Sequence, residues 1–130
     1  DMIGNLNHGL NAFYDLNILL NKEGGPNHVG NYCDAPFLFD EERKELLQRM
    51  SADYYWHFAH FIQPGAVRLG FSRYTDEIDV TAWENPDGRI VLILLNRGEE
   101  AVPVHIRISG KETEIVLSAH SIVSGVISRE

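Results

Sequence analysis

Several features that mark common classes of protein are scarce or missing in this sequence of 130 residues. Its single cysteine, Cys33, excludes an internal disulfide. Lys and Arg number 11 against 19 Asp and Glu, and the net charge of -8 argues against nucleic acid or an anionic membrane as a partner. Apolar runs such as Ile90 to Leu95 are far too short to cross a bilayer, so we expect no membrane span.

Motifs for phosphate and metal binding are missing as well. The glycines of EGGPN form neither GxGxxG nor a P-loop, which removes support for a nucleotide cofactor. His57 and His60 stand three apart without an HExxH pattern or a third ligand, and the acidic group Asp76, Glu77, Asp79 lacks the spacing of a calcium loop. We therefore expect no metal and no cofactor, with packed histidines and a solvated acidic turn.

The sequence does contain a series of short strands after Pro64. The expected strands are 67–71, 79–84, 89–96, 102–108, 113–117 and 121–128. Ile90 to Leu95 is apolar at every position and should lie centrally, whereas Val102 to Ile108 alternates and should be half-buried. Strands at this spacing predict a mainly β protein, an antiparallel sandwich or barrel.

The opening segment has a different pattern. Residues 2–8 predict the end of a helix that Gly9 stops. The sequence opens with this pattern and not with a charged-then-apolar leader, which indicates a cut inside a larger protein. Leu10 to Leu20 is apolar on both faces, as in a parallel strand covered on both sides. Its length also permits a helix.

The middle of the chain predicts a hairpin and a helix. Pro36 to Asp40 reads as a strand, and 45–50 could return beside it, although ERKELLQRM would also form a helix. Apolar residues at helical spacing predict a helix near 52–61, with Ser51 as its N-cap and Pro64-Gly65 as its stop.

Between these parts lies the loop from Asn21 to Asp34, NKEGGPNHVGNYCD, which is richer in special residues than a plain turn requires. The amide groups of Asn17, Asn27 and Asn31 carry donors and acceptors that match sugar hydroxyls. Asparagine also bonds loop backbone and stabilises turns, so the residues alone leave both interpretations open.

Paired carboxylates are the groups that cleave glycosidic bonds, and two candidates lie near this loop. Asp15 stands on the expected strand and Glu23 in the loop. The sequence does not bring them to the separation of about 5 Å that a retaining pair needs. We do not expect them to act as a catalytic pair.

Four stretches nonetheless resemble the C-terminal part of the glycoside hydrolase family 30 enzymes, the glucosylceramidase-like group. They are DLNILLNKEGGPNHVGNYCDAP, DYYWHFAHFIQPGAVRLG, ENPDGRIVLILLNRGEEAVPVHI and AHSIVSGVI. The resemblance implies an antiparallel β-sandwich with one packed helix, preceded by the last strand and rim loop of a (β/α)8 barrel. Residues 1–34 would be the barrel remnant, and 35–130 the C-terminal sandwich including the helix near 52–61.

The resemblance further implies that the parent protein is a retaining β-glycosidase that hydrolyses O-glycosyl bonds. Its acid/base and nucleophile glutamates would lie on earlier barrel strands, so the 130-residue chain holds no catalytic residue and should be inactive alone. Asn31 matches the asparagine that contacts the sugar, and Asn17 is the second expected substrate-binding residue. The position before Asn17, usually tryptophan in the family, is Leu16 here, which puts sugar stacking in doubt.

The alternative hypothesis is a free-standing carbohydrate-binding or protein-interaction β-sandwich. Such a module usually exposes a row of aromatic residues, for which Trp83 and Tyr74 are the candidates here. The expected partners are a β-linked glycoside, bound through the parent barrel, and the missing N-terminal barrel. An unpaired apolar opening strand would also favour a dimer through the exposed barrel remnant.

Overall fold

The computed structural model describes residues 1–128, which contain two helices and nine strands. The helices are α1 (Met2–Asn7) and α2 (Met50–Phe61). The strands are β1 (Leu19–Asn21), β2 (Phe37–Asp40), β3 (Glu45–Gln48), β4 (Val67–Arg68), β5 (Ile78–Glu84), β6 (Ile90–Asn96), β7 (Val102–Ile108), β8 (Lys111–Leu117) and β9 (Ser121–Ile127). Two compact units are present: Ala12–Trp56, and Asp1–Asn11 together with the chain from His57 onward.

The Ala12–Trp56 unit is built on a three-stranded sheet of order β1-β2-β3. Strand β1 pairs in parallel with β2, and β2 pairs antiparallel with β3 through the charged turn at 41–44. One face of this sheet carries Leu20, Leu38 and Leu47, which pack with Ala35 and Cys33. The expected hairpin at 36–50 is therefore confirmed, and the helical alternative for ERKELLQRM is wrong.

The long buried strand expected from Leu10 to Leu20 is wrong in its extent. Only Leu19–Asn21 forms a strand, in the parallel pairing that was expected, and residues 10–18 have no regular structure. Leu16 is 89% exposed and Ile18 74% exposed. An apolar segment adopts strand geometry only where neighbouring strands satisfy its backbone, and β2 reaches no further than Leu19.

The second unit is organised by the antiparallel sheet β4-β5-β6-β9, in which β6 has a neighbour on each side. On one face, Ile78, Ala82, Ile90, Leu92 and Leu94 pack with residues of the separate β7–β8 hairpin, forming a sandwich. On the opposite face, Val91, Ile93 and Trp83 pack with Ile3 of α1 and Phe58 of α2. The central place predicted for Ile90 to Leu95 is confirmed.

Two buried asparagines connect the loops of this unit. The side chain of Asn85 accepts a hydrogen bond from the Gln63 N–H and donates to the carbonyl of Phe61, which satisfies the C-terminal end of α2. Asn96, fully buried, donates to the carbonyls of Glu100 and Ser118 and accepts from the Gly98 N–H. Each amide joins chain segments that the sheet ladder does not connect.

The observed bounds of the remaining helix and strand differ slightly from those that the sequence predicts. Helix α2 runs from Met50 to Phe61, which confirms the helix expected near 52–61, and Gly65 takes the left-handed φ of 88° just beyond it. Ser51 lies inside the helix, so its expected role as N-cap is wrong. The strand expected at 67–71 is limited to Val67–Arg68, the length that pairs with β5.

Candidate functional site

The loop that follows β1 is closed at its base by backbone hydrogen bonds. The Asn21 N–H donates to the Gly25 carbonyl at 2.8 Å, the Gly24 N–H to the Asn21 carbonyl at 3.0 Å, and the Cys33 N–H to the Gly24 carbonyl at 3.0 Å. The side chain of Asn21 adds a fourth bond by accepting from the Gly25 N–H at 2.7 Å. Residues 21–25 and Cys33 thus form a neck below the loop tip, and we call this set the loop neck.

Gly24 is required at the loop neck for two physical reasons. Its φ of 86° lies in the left-handed region that disfavours residues with a Cβ. A Cβ placed on it would also meet the carbonyl oxygen of Cys33 at 2.3 Å, well inside van der Waals contact. The EGGPN signature therefore has a structural cause that needs no ligand.

Above the loop neck, residues 26–32 form a tip that is almost entirely exposed. Asn31 and Tyr32 are exposed there, and the Asn31 side chain makes no hydrogen bond within residues 1–128. Asn27 is half-buried, and its Nδ2 is enclosed without a hydrogen-bond partner in the described part of the chain. The tip therefore offers the amide of Asn31 to solvent.

The asparagine that stabilises the loop was missed by the sequence reasoning. Asn21 performs that role, because its side chain and its backbone both bond to Gly25. Asn21 is the last residue of β1 and stands four residues before Gly25. That position could have identified it, since asparagine side chains commonly bond nearby backbone N–H groups in turns. Asn17, by contrast, is half-buried and bonds to no group in residues 1–128.

Asn17 and Asn31 both belong to the Ala12–Trp56 unit, and their side chains are not hydrogen-bonded to each other. Asn17 follows Leu16, whose side chain is 89% exposed. Asp15, just before it, accepts a hydrogen bond from the Tyr55 hydroxyl at 2.8 Å. The side-chain amides of Asn17 and Asn31 thus make no hydrogen bond within residues 1–128, whereas the nearby carboxylate of Asp15 is engaged.

The remaining carboxylates near the loop serve the β2–β3 turn. Asp40 is buried, accepts hydrogen bonds from the N–H groups of Arg43 and Glu42, and pairs with Lys22 at 3.1 Å. The Arg43 N–H and the Lys22 ammonium hold the pKa of this carboxyl below its ordinary value. Glu23 lines a small cavity of about 130 Å³ beside these groups, so it lies in an acidic, solvated setting.

A larger cavity, about 890 Å³, lies in the other unit, between the β5–β6 face and the β7–β8 hairpin. Its walls are mainly aliphatic. The two arginines at it are engaged: Arg73 donates to the carbonyl of Ile78 and to Asp76, and Arg107 pairs with Glu112. Neither Asn17 nor Asn31 lines this cavity, so we place the candidate site at the loop tip instead.

Other classes of site find no support in the described residues. Within residues 1–128, no three His, Cys, Asp or Glu side chains gather as metal ligands. No helix of that range has both the length and the apolar composition for crossing a bilayer. Trp83, one of the two aromatic residues expected to bind carbohydrate at the surface, is only 9% exposed and donates its indole N–H to the Thr81 hydroxyl. Trp83 therefore cannot form an exposed aromatic row with Tyr74.

Two domains of one protein family match consecutive parts of the chain. The glycosyl hydrolase family 30 TIM-barrel domain matches residues 1–63, and the glycosyl hydrolase family 30 beta sandwich domain matches residues 65–125. These matches confirm the resemblance seen in the sequence. They also confirm the fold class, a β-sandwich preceded by a remnant of a barrel.

Individual proteins agree with this assignment. Lysosomal acid glucosylceramidase of Mus musculus is 36% identical over 107 residues, which is 81% of this chain and 21% of that protein. The crystal structure of SrfJ from Salmonella typhimurium matches with a TM-score of 0.96 at 35% identity, over 100% of this chain and 29% of that one. The endo-beta1,6-glucanase BT3312 shares the fold, with a TM-score of 0.79 at 23% identity over 88% of this chain and 26% of that one.

These relatives are much longer than the chain. It spans about a fifth of the length of the curated proteins it matches.

We predict that Gly24→Ala opens the loop neck. The new Cβ would collide with the Cys33 carbonyl and keep an unfavourable φ, at a cost of about 3 kcal/mol or more in local stability. Hydrogen exchange at the Asn21, Gly24 and Cys33 amides, all donors in the neck, measures this loss directly.

Gly30→Ala is the matched control. Gly30 has a left-handed φ of 71° but open space around it, so the substitution carries only the backbone cost of about 1–2 kcal/mol. If the two variants lost equal protection from amide hydrogen exchange, the close approach of Gly24 to the Cys33 carbonyl would have no special role.

Proposed function

We propose, from the premise that this chain belongs to glycosyl hydrolase family 30, that it is the C-terminal part of a retaining β-glycosidase of the glucosylceramidase type. In this proposal the full protein hydrolyses O-glycosyl bonds, and this chain contributes groups that hold the sugar. The observation that carries the proposal is the loop tip at 26–32, which a closed backbone neck supports and which presents the amide of Asn31 to solvent.

The roles of the two asparagines follow from their chemistry. A primary amide donates two hydrogen bonds and accepts two, so it can pair with neighbouring hydroxyls of a pyranose. Asn31 and Asn17 both have side chains without a hydrogen-bond partner in residues 1–128. We propose both as substrate-binding residues, with Asn31 at the rim and Asn17 beside Leu16.

The catalytic carboxylates of the proposed enzyme lie outside this chain. A retaining mechanism needs an acid/base and a nucleophile about 5 Å apart across the scissile bond. Asp15 is bonded to Tyr55, and Glu23 lies with Glu41 and Glu42 at a small acidic cavity, so neither is in a setting suited to that pair. We assign no catalytic role to this chain's own residues.

The domain division follows the same proposal. Residues 1–34 would belong with the catalytic barrel, and the sandwich would lie within 35–130, with the helix that includes residues 52–61. The β1 strand and its loop lie within residues 1–63, the range that the TIM-barrel domain of the family matches, which supports a barrel origin for them. The alternative, a free-standing binding module, loses support because Trp83, one of the two aromatic residues expected to form its exposed row, is only 9% exposed.

We predict that the 130-residue chain alone does not hydrolyse glycosides, because it carries no suitable carboxylate pair. The test is an assay with aryl β-glucoside and aryl β-xyloside at high protein concentration. Turnover that survives purification and disappears in Asp15→Asn or Glu23→Gln would show that the chain contains its own catalytic group.

We predict that Asn31→Ala lowers kcat/KM about tenfold or more in the longer hydrolase, equivalent to roughly 1.4 kcal/mol of lost transition-state binding. Its thermal stability should barely change, since the Asn31 amide bonds to nothing in residues 1–128. Asn11→Ala, at another exposed asparagine, is the control and should leave the kinetics unchanged. A variant with normal kinetics per folded molecule would make Asn31 a structural residue.

We also propose that the isolated chain pairs with a second copy through the exposed barrel remnant. Leu16 and Ile18 expose large apolar surfaces there. Because Ile3 of α1 is part of a core, truncation would confuse the test, and Leu16→Lys with Ile18→Lys is the cleaner change. Sedimentation equilibrium should show a dimer for the wild type and a monomer for this variant. Val116→Lys, at an exposed apolar residue of the other unit, should remain dimeric.

A further inference from the structure

The segment that carries Asn17 has almost no backbone hydrogen bonds of its own. On one side the last bond is from the Leu10 N–H to the Asn5 carbonyl, and on the other the Ile18 carbonyl accepts from the Phe37 N–H. Residues 11–17, between them, have no regular structure and no backbone hydrogen bond within residues 1–128. Such a segment is ordered only as far as its side chains are held.

One side chain of helix α2 holds this segment. The Tyr55 hydroxyl donates to Asp15 Oδ2 at 2.8 Å, across a separation of 40 residues in sequence. The Tyr55 ring also packs on Phe13, with ring centroids 5.6 Å apart and planes tilted by 45°. Tyr55 therefore contacts residues two and four positions before Asn17.

The chemistry of the hydroxyl agrees with this geometry. Its hydrogen bond to Asp15, assisted by partial burial and by the negative charge of Asp34, holds the pKa of the Tyr55 phenol above its ordinary value. The phenol is thus kept protonated as a donor. Because its acceptor is a carboxylate, the bond is charge-assisted and stronger than one between neutral groups.

We propose that Tyr55 is a positioning residue of the glycoside site, holding residues 12–17 through Asp15 and Phe13 so that the Asn17 amide is in place before sugar binds. This inference rests on the proposed function. Ordering the segment in advance spares the complex the entropy of fixing it on binding, which improves affinity for ground state and transition state alike. Tyr55 itself need not touch the substrate.

The first experiment measures order in the 130-residue chain without any sugar. In Tyr55→Phe, which keeps the ring and removes the hydroxyl, backbone amide order parameters at residues 12–17 should fall from near 0.85 to below about 0.6. Asp15→Ala should reproduce this loss, whereas Asp15→Asn, which retains a carbonyl acceptor, should preserve most of the order. Tyr74→Phe, at a tyrosine 98% exposed in the other unit, should change nothing.

The pair can be tested further by combining the substitutions. If the hydroxyl acts through Asp15, the double variant Tyr55→Phe with Asp15→Ala should lose no more order than either single variant. Additive losses, or unchanged order parameters in Tyr55→Phe, would overturn the proposal.

The second experiment measures kinetics in the longer hydrolase with an aryl β-glucoside. Tyr55→Phe should raise KM about three- to tenfold and leave kcat nearly unchanged, because the lost bond affects substrate and transition state equally. Loss of order at residues 12–17 with an unchanged KM would overturn the positioning role. A wild-type protein that cleaves no glycoside would refute the proposed function instead, and the order parameters would still decide whether Tyr55 holds the segment.

Discussion

Strand β6 is apolar on both of its faces, and this constraint organises the unit to which it belongs. A strand with Val91 and Ile93 on one face and Leu92 and Leu94 on the other must be covered twice. The β7–β8 hairpin covers one face, and α1 with the end of α2 covers the other. The buried amides of Asn85 and Asn96 then join the loops that leave this layered core.

The same physical rule explains why the opening apolar segment behaves differently. Leu16 and Ile18 are as apolar as residues of β6, yet they are exposed, because β2 pairs only with Leu19–Asn21. Apolar composition on both faces indicates what a segment needs around it, and it does not supply those neighbours. In β6 the neighbours lie within the chain. In residues 12–18 the tertiary contacts include those of the Tyr55 side chain with Asp15 and Phe13.

The candidate site combines a rigid base with free polar groups. Four hydrogen bonds and a glycine that tolerates no Cβ close the loop neck, so the tip is presented from a fixed base. The side-chain amides of Asn31 and Asn17 make no hydrogen bond within residues 1–128, while Asp15 and Asp40 are engaged by Tyr55 and by Lys22. This division agrees with the proposal that the chain supplies binding groups while the catalytic carboxylates lie elsewhere.

The sequence by itself determined most of the strands after Pro64, the central place of Ile90 to Leu95 and helix α2, because periodicity and turn residues are local signals. The family was identified from the resemblance of four longer stretches, one of which contains EGGPN. The sequence also identified Asn31 and Asn17 as candidates, whose binding role is a proposal. Only the tertiary structure decided that Asn21 closes the loop and that Trp83 is buried. It alone also limited the opening strand to Leu19–Asn21 and joined Tyr55 to Asp15. Each of these depends on which distant residue lies within hydrogen-bonding or packing distance, and no local pattern in the chain contains that information.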